Sequence, residues 1–332
     1  MRILYQIRKD YLCNIAGDSI VLQNLRKNLM NLNVRVDVCT DNRINLKNYD
    51  LIHIFNTIRV GESYEFLKNA REKDKKVILT PIYWDLSNYF KITKQKEKLG
   101  YWEKNEKKRK YLFDHCYMYI PHCRGEAKLI VKNYQPSSKF YIAPYGVDTK
   151  FLMGEKHYLK SKYGLDDYIL CVGRIHHQKN QLNLIRALSK EKVPLVFVGS
   201  INDKSYFKSC VKEGNKNILF LDKIKREELP SIYKSAKVHV LPSWIEYPGL
   251  ASLEAGIAGC NVVTTDIGST KEVFKEFVRY CKPHSCESIY EETMNAFESS
   301  KNNSLKDFII ENYTWMKSTE KLKEIYGKII EG

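Results

Sequence analysis

The sequence predicts an α/β fold of two doubly wound, Rossmann-like domains, and three observations carry that expectation. Short runs of apolar and β-branched residues alternate with amphipathic stretches along most of the chain, the pattern of parallel strands joined by right-handed helical crossovers. The alternation breaks near residue 150 and then starts again. A chain of 332 residues, 43% hydrophobic and 12% aromatic, is long enough for two domains that each bury a core. The domains are expected over 1–150 and 151–311, with an amphipathic helix over 312–332 that no strand follows.

In the first half, strands are expected at 3–7, 34–40, 51–55, 77–83, 117–120 and 140–143. The helix after the first strand is read from Ile20, Leu22, Leu25, Leu29 and Leu32, which keep helical spacing. Open parallel sheets bind ligands beyond the carboxyl ends of their strands. The loop carrying Gly17 and Asp18 is therefore a candidate phosphate- or sugar-facing turn. Its single glycine makes no dinucleotide fingerprint, and a helix cap from Asp18 or Ser19 explains it equally well. Residues 91–110 hold the densest basic run, nine Lys/Arg from Lys91 to Lys110, interrupted by Tyr101 and Trp102. Such a run fits anionic lipid headgroups with the aromatics at the interface. It also fits a solvated helix face balanced by Glu97, Glu103 and Glu106. The turn at 144–148 leaves the sheet, and the cleft between the halves is the expected site.

In the second half, strands are expected at 168–173, 195–198, 218–221, 238–241, 262–265 and 278–281. Gly173 ends the first of them, and Arg174 and Lys179 bracket the loop that follows. Arginine offers phosphate oxygens a planar fork and lysine a point charge, each charged hydrogen bond contributing about 1.5–3 kcal/mol. In a chain with 55 Lys/Arg both are surface charges by default. The richest stretch is 242–256, PSWIEYPGLASLEAG. An apolar run feeds a turn that opens a helix near Pro248, a residue suited to a first helical position. The N–H groups of Gly249, Leu250 and Ala251 then point out of the helix start and form an anion site. Gly249 lets a ligand approach the backbone. Glu246 stands in the loop before the helix and Glu254 eight positions later. One carboxylate is thus at the mouth of the anion site and one deeper, the order in which a sugar diphosphate joined to ribose presents its polar groups. Two of 39 acidic residues at this spacing are, taken alone, also ordinary helix-end acids.

Composition narrows the partners. The chain opens on residues 2–7, which read as a strand and not a signal peptide, and no apolar run approaches the ~18 residues of a spanning helix. Nine scattered cysteines with no Cys-x-x-Cys pair point to a reducing cytoplasm. Cys281, His284 and Cys286 lack a partner cluster at zinc spacing, so no metal is expected. The net charge of +16 suggests an acidic partner, whether nucleic acid, anionic membrane or phosphate-bearing substrate.

Three features stand in order in the second half: Gly173-Arg174 with Lys179, Glu246 with Glu254 across a helix start, and Thr265-Asp266-Ile267-Gly268 with Glu272. Together they resemble the retaining glycosyltransferases of family 4, which have the GT-B fold, and the resemblance runs over essentially the whole chain. It implies that the first domain binds the acceptor, the second binds a nucleotide-sugar donor, UDP- or GDP-linked, and the final helix returns to the first domain. It further implies that Arg174 and Lys179 grip the diphosphate, with Gly173, Gly268 and the N–H groups of Gly249, Leu250 and Ala251 around it. Glu246 would contact the donor sugar and Glu254 the ribose hydroxyls. Gly17, Asp18, Tyr83, Trp84 and Asp85 would face the sugar or the acceptor, since residues 80–85 lack the histidine many such enzymes place there. Leu221-Asp222-Lys223 stands where the family has a glycine-bearing turn near the base. The activity implied is metal-independent transfer of a hexose to a glycan or lipid-linked acceptor in cell-surface polysaccharide or glycolipid assembly. The place implied is the cytoplasm, peripheral on the inner face of the membrane through Lys91 to Lys110, with no nucleic acid and no cofactor. Rival readings are another GT-B enzyme (an epimerase or a phosphorylase), an inactive sugar-nucleotide binder, or a basic nucleic-acid-binding protein.

Overall fold

The computed structural model describes residues 1–222 and 224–332, so the turn position expected at Lys223 lies outside the described residues. The chain divides into two units, Met1–Tyr145 with Trp315–Gly332, and Gly146–Thr314. The first contains strands β1 (Arg2–Gln6), β2 (Arg35–Cys39), β3 (Leu51–Phe55), β4 (Val77–Thr80), β5 (Met118–Tyr119) and β6 (Lys139–Phe140). They form one parallel sheet in the order β2-β1-β3-β4-β5-β6. All five residues of β3 are buried, as expected of a parallel strand covered on both faces. The first helix, Gly17–Asn31, buries Val21, Leu22, Leu25 and Leu29, largely the stripe read from the sequence.

Two strands are shorter than their apolar runs. β4 stops at Thr80 rather than continuing to residue 83. Pro81 has no N–H for the ladder, and Ile82 turns to φ 47°, a left-handed value that strands do not take. β6 holds only Lys139 and Phe140, after which the Tyr141 and Ala143 N–H groups still bond to Tyr119 and Pro121 carbonyls at 3.2 and 3.0 Å.

The closing helix, Trp315–Glu331, belongs to the first unit. Its Tyr326 hydroxyl lies 2.5 Å from His53 Nδ1 and 3.0 Å from the Tyr5 hydroxyl, while His53 Nε2 meets Thr80 Oγ1 at 2.7 Å. All of these groups are buried. Burial pushes the His53 imidazole down to about 3, so it serves as a neutral hydrogen-bonding group.

The basic run divides among the helices Ser87–Ile92, Lys96–Lys104 and Glu106–His115. Its lysines are mostly exposed, but Trp102 and Arg109 are core residues, 4% and 0% exposed. Arg109 lies 3.8 Å from the Trp102 ring centroid and pairs with Glu106 at 2.7 Å. This corrects the expectation that Trp102 stands at a lipid interface: the ring packs inward beneath a buried guanidinium, and only Tyr101 is exposed.

The second unit carries β7 (Ile169–Val172), β8 (Leu195–Val198), β9 (Ile218–Leu221), β10 (Val238–Leu241), β11 (Asn261–Thr265) and β12 (Arg279–Cys281). Their order is β12-β11-β10-β7-β8-β9, so strand order reverses between β7 and β10. Apolar clusters cover both faces. Together the two parallel six-stranded sheets are the two doubly wound layers expected. No helix among the described residues is long and apolar enough to cross a membrane.

Candidate active site

The β7/β10 reversal puts the carboxyl ends of two adjacent strands side by side, the place where open α/β sheets take ligands. Two loops leave those ends. From β7 the chain passes Gly173 and Arg174 to a short 3-10 turn, His177–Lys179, capped by His176 Nδ1 accepting from the Gln178 N–H at 3.2 Å. From β10 it passes Pro242 to Gly249 and enters the helix Leu250–Ala258.

Backbone and amide hydrogen bonds hold the loops together. The Trp244 N–H donates to the Gln178 carbonyl at 2.9 Å. Asn180, buried and left-handed at φ 61°, donates through Nδ2 to the Pro242 and Pro283 carbonyls at 2.9 and 2.7 Å. Gln181 Nε2 donates to the Arg174 carbonyl at 2.9 Å. Asparagine tolerates the left-handed region better than most residues, so Asn180 both turns the chain and fastens it. Sequence reasoning passed over Asn180; the signal available was an asparagine directly before a helical stretch.

Across this junction Lys179 Nζ reaches both oxygens of Glu246, at 2.9 and 2.8 Å. The Glu246 side chain is 8% exposed and that of Lys179 21%. An unpaired carboxylate at that depth is costly, and the ammonium compensates it. Lysine carries three donors, so at least one remains for a further acceptor.

Glycines set the close approaches. Glu246 bridges to Gly268, its N–H bonding to the Ile267 carbonyl and its carbonyl accepting from Ser269, both at 3.2 Å. A Cβ on Gly268, at φ 123°, would lie 2.1 Å from the Glu246 carbonyl oxygen, so no other residue allows the bridge. Gly199 was not singled out from the sequence. A Cβ there would fall 2.3 Å from the Gly173 carbonyl oxygen, so it lets the β8 end lie against the β7 loop. A glycine closing the apolar run of β8 was its only signal.

The helix begins later than expected. Pro248 precedes it, and Gly249, at φ 84°, is the residue before its first turn, because a left-handed residue cannot continue an α-helix. The N–H groups of Gly249, Leu250 and Ala251 have no acceptor among the described residues, as at any helix start. The buried Ser243 and Ser252 hydroxyls likewise lack partners among the described residues. One turn further in, Glu254 accepts from the Tyr233 hydroxyl at 3.0 Å, and desolvation raises its carboxyl to about 7.

The structure therefore brings Gly173, Lys179, Glu246, Gly249 and Gly268 into contact, with Arg174, Leu250 and Ala251 on the same loops. Gly17, Asp18, Tyr83, Trp84 and Asp85 lie in the other unit. Asp18 is buried there, accepting from Arg8 Nε and Nη2 at 2.7 and 2.9 Å and from Asn56 Nδ2 at 2.8 Å. The carboxylate is spent on joining the ends of β1 and β3, which corrects its reading as a sugar-facing group. Tyr83 is corrected likewise: its ring is 1% exposed in the core and its hydroxyl takes a hydrogen bond from Asn133. Asp85 accepts from the Ser87 N–H at 2.9 Å, and Trp84 is half-buried. Among the described residues no three His, Cys, Asp or Glu side chains form a metal-binding group. The Cys281 and Cys286 sulfurs turn instead to the Thr264 and Asn183 carbonyls.

Residues 158–315 match the family described as glycosyl transferases group 1. An uncharacterized glycosyltransferase of Methanocaldococcus jannaschii is 31% identical over 207 residues, 57% of this chain and 53% of that one. The O-antigen chain mannosyltransferase B of Escherichia coli is 28% identical over 131 residues, 37% and 34% of the two chains. The chain spans about half the length, or less, of the curated relatives it matches. Sucrose-phosphate synthase from Thermosynechococcus elongatus superposes with a TM-score of 0.82 at 15% identity, over 100% of this chain and 99% of that one. Anabaena HepE does so with a TM-score of 0.79 at 14% identity, over 98% and 99%. The chain thus has the GT-B fold, and its residues 158–315 are similar to the glycosyl transferases group 1 family.

Proposed function

We propose that this chain transfers a hexose from a nucleotide diphosphate sugar to a hydroxyl acceptor, with retention of anomeric configuration and without a divalent metal. The observation that carries the reading is the Lys179–Glu246 pair, held at 2.8 Å beside an open helix start at the strand-order reversal. A diphosphate is the anion such a place suits: it takes the free N–H groups at Gly249 to Ala251, the remaining donor of Lys179 and the fork of Arg174. Glu246 then stands against the attached sugar, and Glu254 against the ribose hydroxyls.

In the reaction, the bond from the anomeric carbon to the diphosphate oxygen breaks, and its electron pair stays on the diphosphate. The acceptor oxygen bonds to the same face of that carbon, and its proton passes to the leaving phosphate oxygen. Positive groups fixed where that charge develops lower the barrier, and loss of one typically costs roughly 10²–10³-fold in rate. The HepE structure was solved with UDP and glucose, which supports a nucleotide-linked donor, UDP- or GDP-linked here. The similarity to an O-antigen chain mannosyltransferase supports work on cell-surface glycans, and we place that work at the cytoplasmic face of a membrane.

The test is calorimetric titration of UDP- and GDP-sugars into wild type and Lys179→Ala. One donor is expected to bind the wild type at least tenfold more tightly than the variant. Equal binding to both proteins, or no binding by any donor, overturns the proposal.

A further inference from the structure

The first unit carries 31 Lys/Arg against 18 Asp/Glu, and the second 24 against 21. The excess charge is therefore almost all in the first. One part of its surface combines that charge with exposed apolar area. On the helix Arg124–Tyr134, Arg124, Lys128 and Lys132 recur at every fourth position and so form one ridge. Beside the ridge runs a groove of about 480 Å³, floored by Ala127, Val131, Phe140 and Ile142. Val131 is 42% exposed and Phe140 44%. The opposite face of the helix holds Ile130 and Tyr134 in the core, so the element is firmly seated and only this side is open. Lys128 and Lys132 make no ion pair among the described residues.

We infer that this groove and its lysine ridge are the surface by which the first unit docks on an anionic lipid bilayer. Lysine stems lie along apolar area while their ammonium groups reach outward, so the ridge contacts lipid phosphates as Val131 and Phe140 enter the headgroup region. A nucleic acid would use the charge but not the apolar floor. Strand addition from a protein partner is poorly served by β6, which has two residues. The run from Lys91 to Lys110 has more charge, yet its tryptophan and its arginine are in the core. The inference extends the membrane setting of the proposed function, but lipid binding and sugar transfer are measured separately, so either can fail alone.

The experiment is flotation of the full chain with vesicles of phosphatidylcholine alone and with about one lipid in three replaced by phosphatidylglycerol. The wild type is expected to float with the anionic vesicles only, and to be released by 1 M salt as the screening length falls to about 3 Å. Neutralising both lysines (Lys128→Gln with Lys132→Gln) is expected to weaken binding roughly 30-fold. Phe140→Ser with Val131→Ser should weaken it in low salt as well. Lys94→Gln with Lys98→Gln should leave it unchanged, and circular dichroism verifies that each variant is folded. Failure of the wild type to float, or flotation of the Lys128/Lys132 variant like wild type, overturns the inference. So does a dimer in light scattering that dissociates on the Val131/Phe140 change without lipid binding, since a second copy then covers the groove.

Discussion

Replacing Lys179 by methionine isolates the central claim about the site. The substitution keeps most of the side-chain volume and removes the ammonium. Glu246 is left 8% exposed with its two Lys179 hydrogen bonds gone. Breaking a fully buried pair costs about 3–5 kcal/mol, and pairs in water contribute about 0–1. With Lys179 21% exposed, the expected loss is about 2 kcal/mol. For a unit of this size that lowers the melting temperature by roughly 4–8 °C. Glu246→Gln should cost less, because a neutral amide needs no counter-charge. The double variant should be no less stable than Lys179→Met alone, a coupling of about 1 kcal/mol or more. Thermal melts and urea titrations of the four proteins without ligand supply the cycle. Additive losses, or a Lys179→Met protein as stable as wild type, would refute the reasoning that the two charges compensate each other at the loop junction.

Other expected outcomes follow from the same geometry. Gly268→Ala should lower stability by about 3 kcal/mol or more, because its Cβ would lie 2.1 Å from a backbone oxygen. Gly173→Ala, whose nearest contact would be 3.7 Å, should stay within about 1 kcal/mol of wild type; urea titration compares them. Glu254 in the folded chain titrates near 7, above its ordinary carboxylate range. The unfolded chain then loses this proton first, so Glu254 lowers stability progressively as pH rises from the ordinary value to about 7. Relative to wild type, Glu254→Gln should gain melting temperature from pH 5 to pH 7.5, and a constant difference would contradict the assignment. Tyr326→Phe leaves His53 and Tyr5 without their shared partner and should cost about 1–3 kcal/mol, read by the same titration.

The central strands were legible because burial on both faces makes them apolar throughout, as in β3, whereas the edge strands β2, β6 and β12 carry exposed residues and were read from their place in the alternation with helices. Strand ends were harder. Ile82 is apolar, and only its positive φ after Pro81 takes it out of β4. Trp102 and Arg109 lie in a stretch whose composition is that of a solvated face, and their stacking depends on how three short helices fold over one another. Asp18 sits at a strand end where a ligand group is expected, but Arg8, ten positions away, takes up its charge.

By itself, the sequence determined the two α/β layers, a helix start within about two positions of Pro248 and the residue types around it, since these depend on local periodicity and on glycine's backbone freedom. Only the tertiary structure decided that Lys179 and Glu246 meet, that Gly268 touches the Glu246 backbone, and that Asp18 and Tyr83 are held by other protein groups. Those are contacts between segments 10 to 67 positions apart, and their geometry follows from strand order, which spacing along the chain does not encode.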